Sequence, residues 1–451
     1  MNQIKKWMAA WQDDPRMGRI LRNTGMLFSS NTISLGLSVA QSILAARLLG
    51  VELFGVLGTI TVFASTINRL FSFRMGELVV RYVSAYLTDE RPDKAAAVVK
   101  AALLAEALTT VVAFIFLVFT ARLGAQVFAK DVNFTPYFLV YGISVLGSLV
   151  VETSTGILQV DNRFRSQATV NLAQSALTAL VIAVAYITNA GLWLVLAAYL
   201  IGKMILGIAP AVLAWGSLKR LLPQRWWTAS FDLLPPRREL VSFAMSTNMS
   251  ATINLLVRDS ELLWVAFFLS PLEAGYYKVA LAIINLTVLP ITPFISTTYP
   301  EISRTVAEKR WSALRNLLKR VTALSAGWIA LVTVGLALFG KWLIGLYGWE
   351  YLPAYPAMMV LLVGTGFANI FFWNRPLLLA FGKPAFTFRA ALVVGLLKMS
   401  LAFPLVPRFG NVAEAALLSG YHLFSGGAIL LRGLGLIKER SRLRPEAEAE
   451  E

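Results

Sequence analysis

Long apolar runs alternate with short polar breaks from about residue 21 to residue 431. The first run covers about 21–44. The second starts at Phe54, stays apolar to about Asn68, then carries Arg69, Arg74, Glu77 and Arg81 on to Tyr86. Further runs cover about 100–120, 136–158, 168–187 and 192–214. A second series covers about 240–268, 274–297, 321–339, 355–380, 385–405 and 411–431. Each approaches or exceeds the roughly 20 apolar residues that a helix needs to cross a bilayer. A helix also satisfies its backbone polar groups internally, as lipid demands. The pattern predicts an all-α polytopic membrane protein, with about 12 transmembrane helices in two six-helix, pseudo-symmetric lobes.

The polar stretches set the expected boundaries. Residues 1–20 place Ile4, Trp7, Met8 and Trp11 at helical spacing beside Lys5 and Lys6, which suits either an interfacial helix or a frayed tail. An N-lobe follows at 21–215. The linker at 216–238 holds Lys219, Arg220, Arg225, Trp226-Trp227 and Pro235-Pro236, with the tryptophans expected at the headgroups. A C-lobe covers 239–432, and a charged tail closes the chain at 433–451. Segment 301–320 is basic, with Trp311, Leu314, Leu317 and Leu318 on one face, and reads as an amphipathic surface helix.

The first two runs meet at a turn, Ala46 to Gly58, marked by Arg47, Gly50, Glu52 and Gly55. A related turn returns at Ser270-Pro271-Leu272-Glu273. Pro15 to Glu52 and Pro236 to Glu273 both span 37 positions, an offset of 221. With six helices per half, both copies enter the bilayer in the same sense. That implies a pseudo-twofold axis along the membrane normal and a central cleft, an arrangement known among transporters.

Composition agrees. The chain is 57% hydrophobic and 15% charged, against about 45–50% and about 25% for soluble domains. No cleavable signal pattern is evident. Without cysteine there are no disulfides or thiolate metal sites. The net charge of +16 suggests nucleic acid until the basic residues are placed. Of the 41, 28 fall in the segments that lie inside if both termini are cytoplasmic, five in outer turns and eight within spans. That bias fixes the orientation and faces anionic lipid. No nucleic acid partner is expected, and a monomer is.

The charges within spans are the candidate chemistry, because an ionisable group at bilayer depth is costly and normally faces protein or water. Arg74, Glu77 and Arg81 lie near one helix face, either as ion pairs at the interface or as part of a cationic surface toward an anionic substrate. Arginine suits phosphate through its two parallel donors. Arg258 and Glu261 are spaced for an i,i+3 pair, and Asp259 is a possible ion or proton site. Arg375 precedes Pro376, which bends a helix and frees a carbonyl. The lone His422 reads as packing. The candidate substrate-binding residues are Arg69, Arg74, Arg81, Arg258 and Arg375, and the candidate coupling residues are Asp259 and Glu77. There is no P-loop and no His-Glu-x-x-His. The chain is not expected to be an enzyme or to need a cofactor, although a proton or sodium gradient could drive it.

Arg47-x-Leu-Gly50 followed by Phe54-Gly55, and Asp259 followed by Gly275-Tyr276-Tyr277 and Ala280, resemble motifs of bacterial polysaccharide-export proteins. These are the oligosaccharide flippases of the multidrug/oligosaccharidyl-lipid/polysaccharide exporter superfamily. Ala274 stands where their pattern has valine. The resemblance covers about residues 20–432. It implies a bacterial cytoplasmic-membrane protein that flips an undecaprenyl-diphosphate-linked oligosaccharide for surface polysaccharide assembly. The arginines would engage diphosphate and sugar acids, and a polysaccharide polymerase and glycosyltransferases would be partners. An ion-coupled drug or metabolite exporter of the same fold is the alternative, though excess buried arginine argues against organic cations. A non-transport membrane scaffold is a third.

Overall fold

The computed structural model describes residues 15–72, 75–236, 240, 252 and 254–443. The expected interfacial segment up to residue 14, Arg74, most of the expected helix at 240–268 and the tail beyond residue 443 lie outside these. The described residues form helices throughout, with no strand among them. In order they are α1 (Pro15–Phe71), α2 (Met75–Thr88), α3 (Pro92–Phe128), α4 (Thr135–Leu146), α5 (Val151–Val160), α6 (Phe164–Ile187) and α7 (Leu192–Leu221). After a π-helical turn at Leu255–Asp259 come α8 (Glu261–Phe268), α9 (Pro271–Val288), α10 (Thr292–Ala307), α11 (Trp311–Gly345), α12 (Ala354–Ile370), α13 (Asn374–Ala380) and α14 (Pro384–Leu443). Proline opens α1, α3, α9 and α14, where its missing N–H has no intrahelical partner to lose.

Among the described residues, eight helical stretches are long and apolar enough to cross a membrane. Two are far longer than one crossing. Thr32–Phe71 has 40 residues and Pro384–Arg442 has 59, or about 60 and about 90 Å at 1.5 Å per residue against about 30 Å of hydrocarbon. Each is broken at a single glycine, Gly50 (φ 69°) and Gly410 (φ 71°). The expected turn from Ala46 to Gly58 is thus helical on both sides and departs from helical geometry at Gly50 alone. The charged run after Asn68 is not one helix either, since α1 ends at Phe71 and α2 starts at Met75. The expected helix at 136–158 is interrupted at 147–150, between α4 and α5. The interruption at Asn374-Arg375-Pro376 falls earlier, at Phe371–Trp373, and Pro376 sits within the first turn of α13.

Eight of the ten positive-φ positions among the described residues fall into similarly spaced pairs. Positive φ occurs at Glu90, Lys130, Asn162 and Asn189, and again at Lys309, Gly348, Gly382 and Gly410. Taken in order, these pairs are separated by 219, 218, 220 and 221 residues. Several are helix stops in which the next N–H reaches back five residues. Arg91 donates to Tyr86 O (2.8 Å) and Arg310 to Thr305 O (3.1 Å). Arg163 donates to Leu158 O (2.8 Å) and Lys383 to Leu378 O (2.9 Å). A left-handed residue followed by this bond satisfies carbonyls left open at a helix C-terminus.

The chain divides into two compact units. Unit 1 takes residues 1–49, 63–126 and 131–251, and unit 2 takes 50–62, 127–130 and 252–451. In unit 1, α2 packs on α5 where Gly76 and Gly156 meet. A Cβ on Gly156 would stand 2.9 Å from Gly76 O. In unit 2, the start of the second arm of α1 packs against the start of α9 in a crossed pattern. A side chain on Gly55 would strike Pro271 O, and one on Gly275 would strike Val51 O. Lys278 lies over the Phe54 ring (3.7 Å to its centroid) and donates to Phe54 O (3.2 Å). Gly58 leaves room for its stem.

Candidate functional site

Unit 1 gathers polar groups where its helices are interrupted. Arg69 lies exposed in the last turn of α1, and its charge acts on Lys203 of α7. Asn68 Nδ2 donates to Ser148 Oγ (3.1 Å) at the α4–α5 break. Past that break the first amides of α5 need acceptors, and Glu106 of α3 supplies them. Its two oxygens accept from Glu152 N–H (2.7 Å) and Thr153 N–H (3.0 Å). A carboxylate at a helix N-terminus meets both the open donors and the helix dipole. Beside it is a cavity of about 380 Å³ lined by Glu77, Arg81, Glu152, Thr155 and Gln159 among others. Arg81 also lies 5.2 Å from the Tyr82 ring centroid.

Unit 2 holds a second set. Arg258 pairs with Asp259 at 3.6 Å at the end of the π-helical turn, with the Arg258 side chain 59% exposed. Arg375 is exposed in the first turn of α13. The charges of Arg258, Arg375 and Lys398 all reach Tyr421, so α13 and both arms of α14 bring them into one neighbourhood around the π-helical turn.

Below these exposed groups is a sealed cluster. Lys398 Nζ donates to Val257 O (2.8 Å), pairs with the Glu261 carboxylate and lies 2.9 Å from Glu414 Oε1. The other Glu261 oxygen accepts from Tyr277 Oη–H at 2.7 Å. The Lys398, Glu261 and Glu414 side chains are 3%, 2% and 0% exposed. Four helical segments are tied together: α8, α9 and the two arms of α14 on either side of Gly410. Two carboxylates and one ammonium sum to one negative charge when all are ionised. Ionised groups buried this deeply are tolerated only when paired and hydrogen-bonded.

A family model described as "Polysaccharide biosynthesis protein" matches residues 20–306, well over half of the chain. The chain belongs to this polysaccharide biosynthesis family. It is 26% identical over 362 residues to the Inner membrane protein YghQ of Escherichia coli (strain K12), covering 78% of this chain and 98% of that protein. Its fold is similar to an inward-facing multidrug resistance MATE family transporter of the MOP superfamily, with a TM-score of 0.73 at 14% identity, covering 91% and 96% of the two chains. It is also similar to the lipid II flippase MurJ in its inward closed conformation, with a TM-score of 0.68 at 14% identity, covering 92% and 90%. The same fold recurs in a MOP superfamily transporter from Pyrococcus furiosus, with a TM-score of 0.63 at 14% identity, covering 96% and 98%. These likenesses give this member of the polysaccharide biosynthesis family the fold of transporters, not of catalytic enzymes.

Within this family member the candidate residues fall into separate places. Arg69 and the Glu77–Arg81 cavity belong to unit 1, Arg258, Asp259 and Arg375 belong to unit 2, and Arg74 lies outside the described residues. Arg47 and Glu52 are exposed on either side of Gly50. The spacing-based pairing of Arg258 with Glu261 is replaced. Arg258 turns to Asp259, while Glu261 is buried against Lys398 and Tyr277. The π-helical turn explains this, because its extra residue shifts the register that an ordinary helix would give. Sequence reasoning misses Lys203, Lys398, Glu414 and Glu106. Lys203 and Lys398 are visible as charges in apolar runs, but the groups that Lys398 pairs with are on other helical segments.

Proposed function

We propose that this protein flips a lipid-linked oligosaccharide, with an undecaprenyl-diphosphate carrier, from the inner to the outer leaflet for surface polysaccharide assembly. The observation that carries this reading is the family match over residues 20–306. The exposed or cavity-lining arginines support it, because guanidinium groups at bilayer depth suit diphosphate and acidic sugars. Arg69, Arg81, Arg258 and Arg375 are the proposed substrate contacts, with Arg74 beside them in sequence. Twelve spans follow if the arms on either side of Gly50 and Gly410 each cross once and the chain around residues 240–297 supplies two more. Both termini are then cytoplasmic, in line with the bias of basic residues. The relative described as an inner membrane protein supports a bacterial cytoplasmic membrane.

For coupling, Asp259 and Glu77 are exposed candidates, and the Glu261–Lys398–Glu414 cluster is a buried one. A single proton on one of its carboxylates would bring it to neutrality.

The test is a leaflet assay in cells lacking the chromosomal gene. Wild-type protein should restore outer-leaflet exposure of the polyprenyl-linked glycan. Arg258→Ala and Arg375→Ala should insert normally yet leave the glycan facing inward. Normal glycan export without the protein, with altered accumulation of cationic dyes instead, would overturn the reading in favour of a drug exporter.

A further inference from the structure

A groove of about 800 Å³ in unit 2, apart from the charge clusters above, lies between α11 and the second arm of α14. Both helices exceed a membrane's thickness. α11 has 35 residues and the arm from Gly410 to Leu443 is of similar length, each about 50 Å against about 30 Å of hydrocarbon. Their overhanging ends coincide, because Arg315 Nη2 donates to Ser441 Oγ at 2.7 Å. The groove therefore starts at the depth of the headgroups and runs toward the hydrocarbon.

Its lining changes along that direction. Arg315 and Lys319 stand on one wall and Lys438 and Arg442 on the other, all four exposed. Leu318, Phe371, Leu430, Leu434 and Ile437 form the floor. Trp373 is also there, with its indole N–H already given to Thr322 Oγ1 at 2.8 Å. Among the described residues no carboxylate lines the groove; Glu439, next to Lys438, is exposed but not part of the lining. A peptide or a soluble anion would leave either the apolar floor or the four cations unused. A lipid with a negatively charged headgroup matches both.

We infer that this groove is a binding site for an anionic phospholipid of the surrounding bilayer. The phosphate is held between Arg315 and Lys319 on one side and Lys438 and Arg442 on the other, and the acyl chains lie on the floor. Four cations in two facing pairs suit a two-phosphate headgroup best. Basic pockets between transmembrane helices recognise such lipids, and each Lys or Arg near an anionic headgroup contributes appreciably. The site is independent of the flippase reading, since any polytopic protein could use it to fix its depth in the membrane.

Native mass spectrometry and thermal unfolding of the full chain test the proposal, using diphosphatidylglycerol and phosphatidylcholine as probes. Diphosphatidylglycerol should remain bound at detergent levels that strip phosphatidylcholine, and should raise the unfolding midpoint. Arg315→Gln with Lys319→Gln, or Lys438→Gln with Arg442→Gln, should each weaken its retention roughly tenfold or more. The unfolding midpoint without added lipid should stay unchanged in both variants, which separates lost binding from lost folding. Equal retention of the two lipids, or undiminished retention in both variants, would overturn the proposal. So would preferential displacement of the phospholipid by a polyprenyl diphosphate, which would make the groove a carrier-lipid site.

Discussion

Lys398 illustrates how one side chain can decide the fate of two others. It stands between Glu261 and Glu414 with almost no exposure. Lys398→Met would remove the only ammonium of the cluster and leave two carboxylates facing each other. Removing one partner of a buried ion pair costs about 3–5 kcal/mol, so the unfolding midpoint in nanodiscs should fall by many degrees. Adding Glu261→Gln should recover part of the loss, because one negative charge then goes with the positive one and a single buried carboxylate is left instead of two. A second residue-scale effect separates conformation from space. Gly50 has φ 69°, and a Cβ added there would meet open space, with nothing within 4 Å. Gly50→Ala should therefore cost only the backbone penalty of about 1–3 kcal/mol, because φ 69° with ψ 176° is a conformation that essentially only glycine adopts. At Gly55 the opposing Pro271 carbonyl is in the way, and Gly55→Ala should cost about 1–3 kcal/mol through forced backbone movement. Thermal unfolding of the two variants side by side checks both figures.

At the scale of the element, interrupted helices need acceptors and donors from outside themselves. The N-terminus of α5 depends on Glu106, which lies on α3 and is bonded to two of its amides. Glu106→Gln keeps one acceptor oxygen and loses the charge and the other oxygen. The expected cost is about 1 kcal/mol, accompanied by faster hydrogen exchange at Glu152 and Thr153 than at the rest of α5. Little of this was legible in the sequence. The interruption at 147–150 reads Gly-Ser-Leu-Val, an apolar stretch that suits an unbroken helix. The stops with positive φ at Glu90, Lys130 and Lys309 are equally silent, because charged residues rarely mark a left-handed position. The shared spacing of 37 residues was legible in the sequence, whereas the pairs of positive-φ positions 218 to 221 residues apart are visible only in the backbone.

For the whole molecule, apolar periodicity was enough to give an all-α polytopic membrane protein, while the transporter expectation came from the spacing of the two turns and from the resemblance to polysaccharide-export proteins. The substrate was not: nothing local distinguishes an arginine that meets diphosphate from one that meets a neighbouring carboxylate. If Arg258 and Arg375 serve one polyanionic substrate, Arg258→Ala/Arg375→Ala should reduce export no further than either single change, once either change abolishes it. Arg258→Lys should restore only part, because a point charge lacks the paired donors of guanidinium. Glycan exposure at the cell surface is the measurement for both. The Glu261–Lys398–Glu414 cluster has a consequence of another kind, which is electrical. One elementary charge moved through the full membrane field changes the energy by about 2.3 kcal/mol per 100 mV. With every group ionised the cluster carries such a charge, and with one proton added it carries none. Any displacement of its four helical segments across the field is therefore voltage-sensitive in the first state and silent in the second. The occupancy of a single hydrogen decides whether membrane voltage can push on this part of the protein.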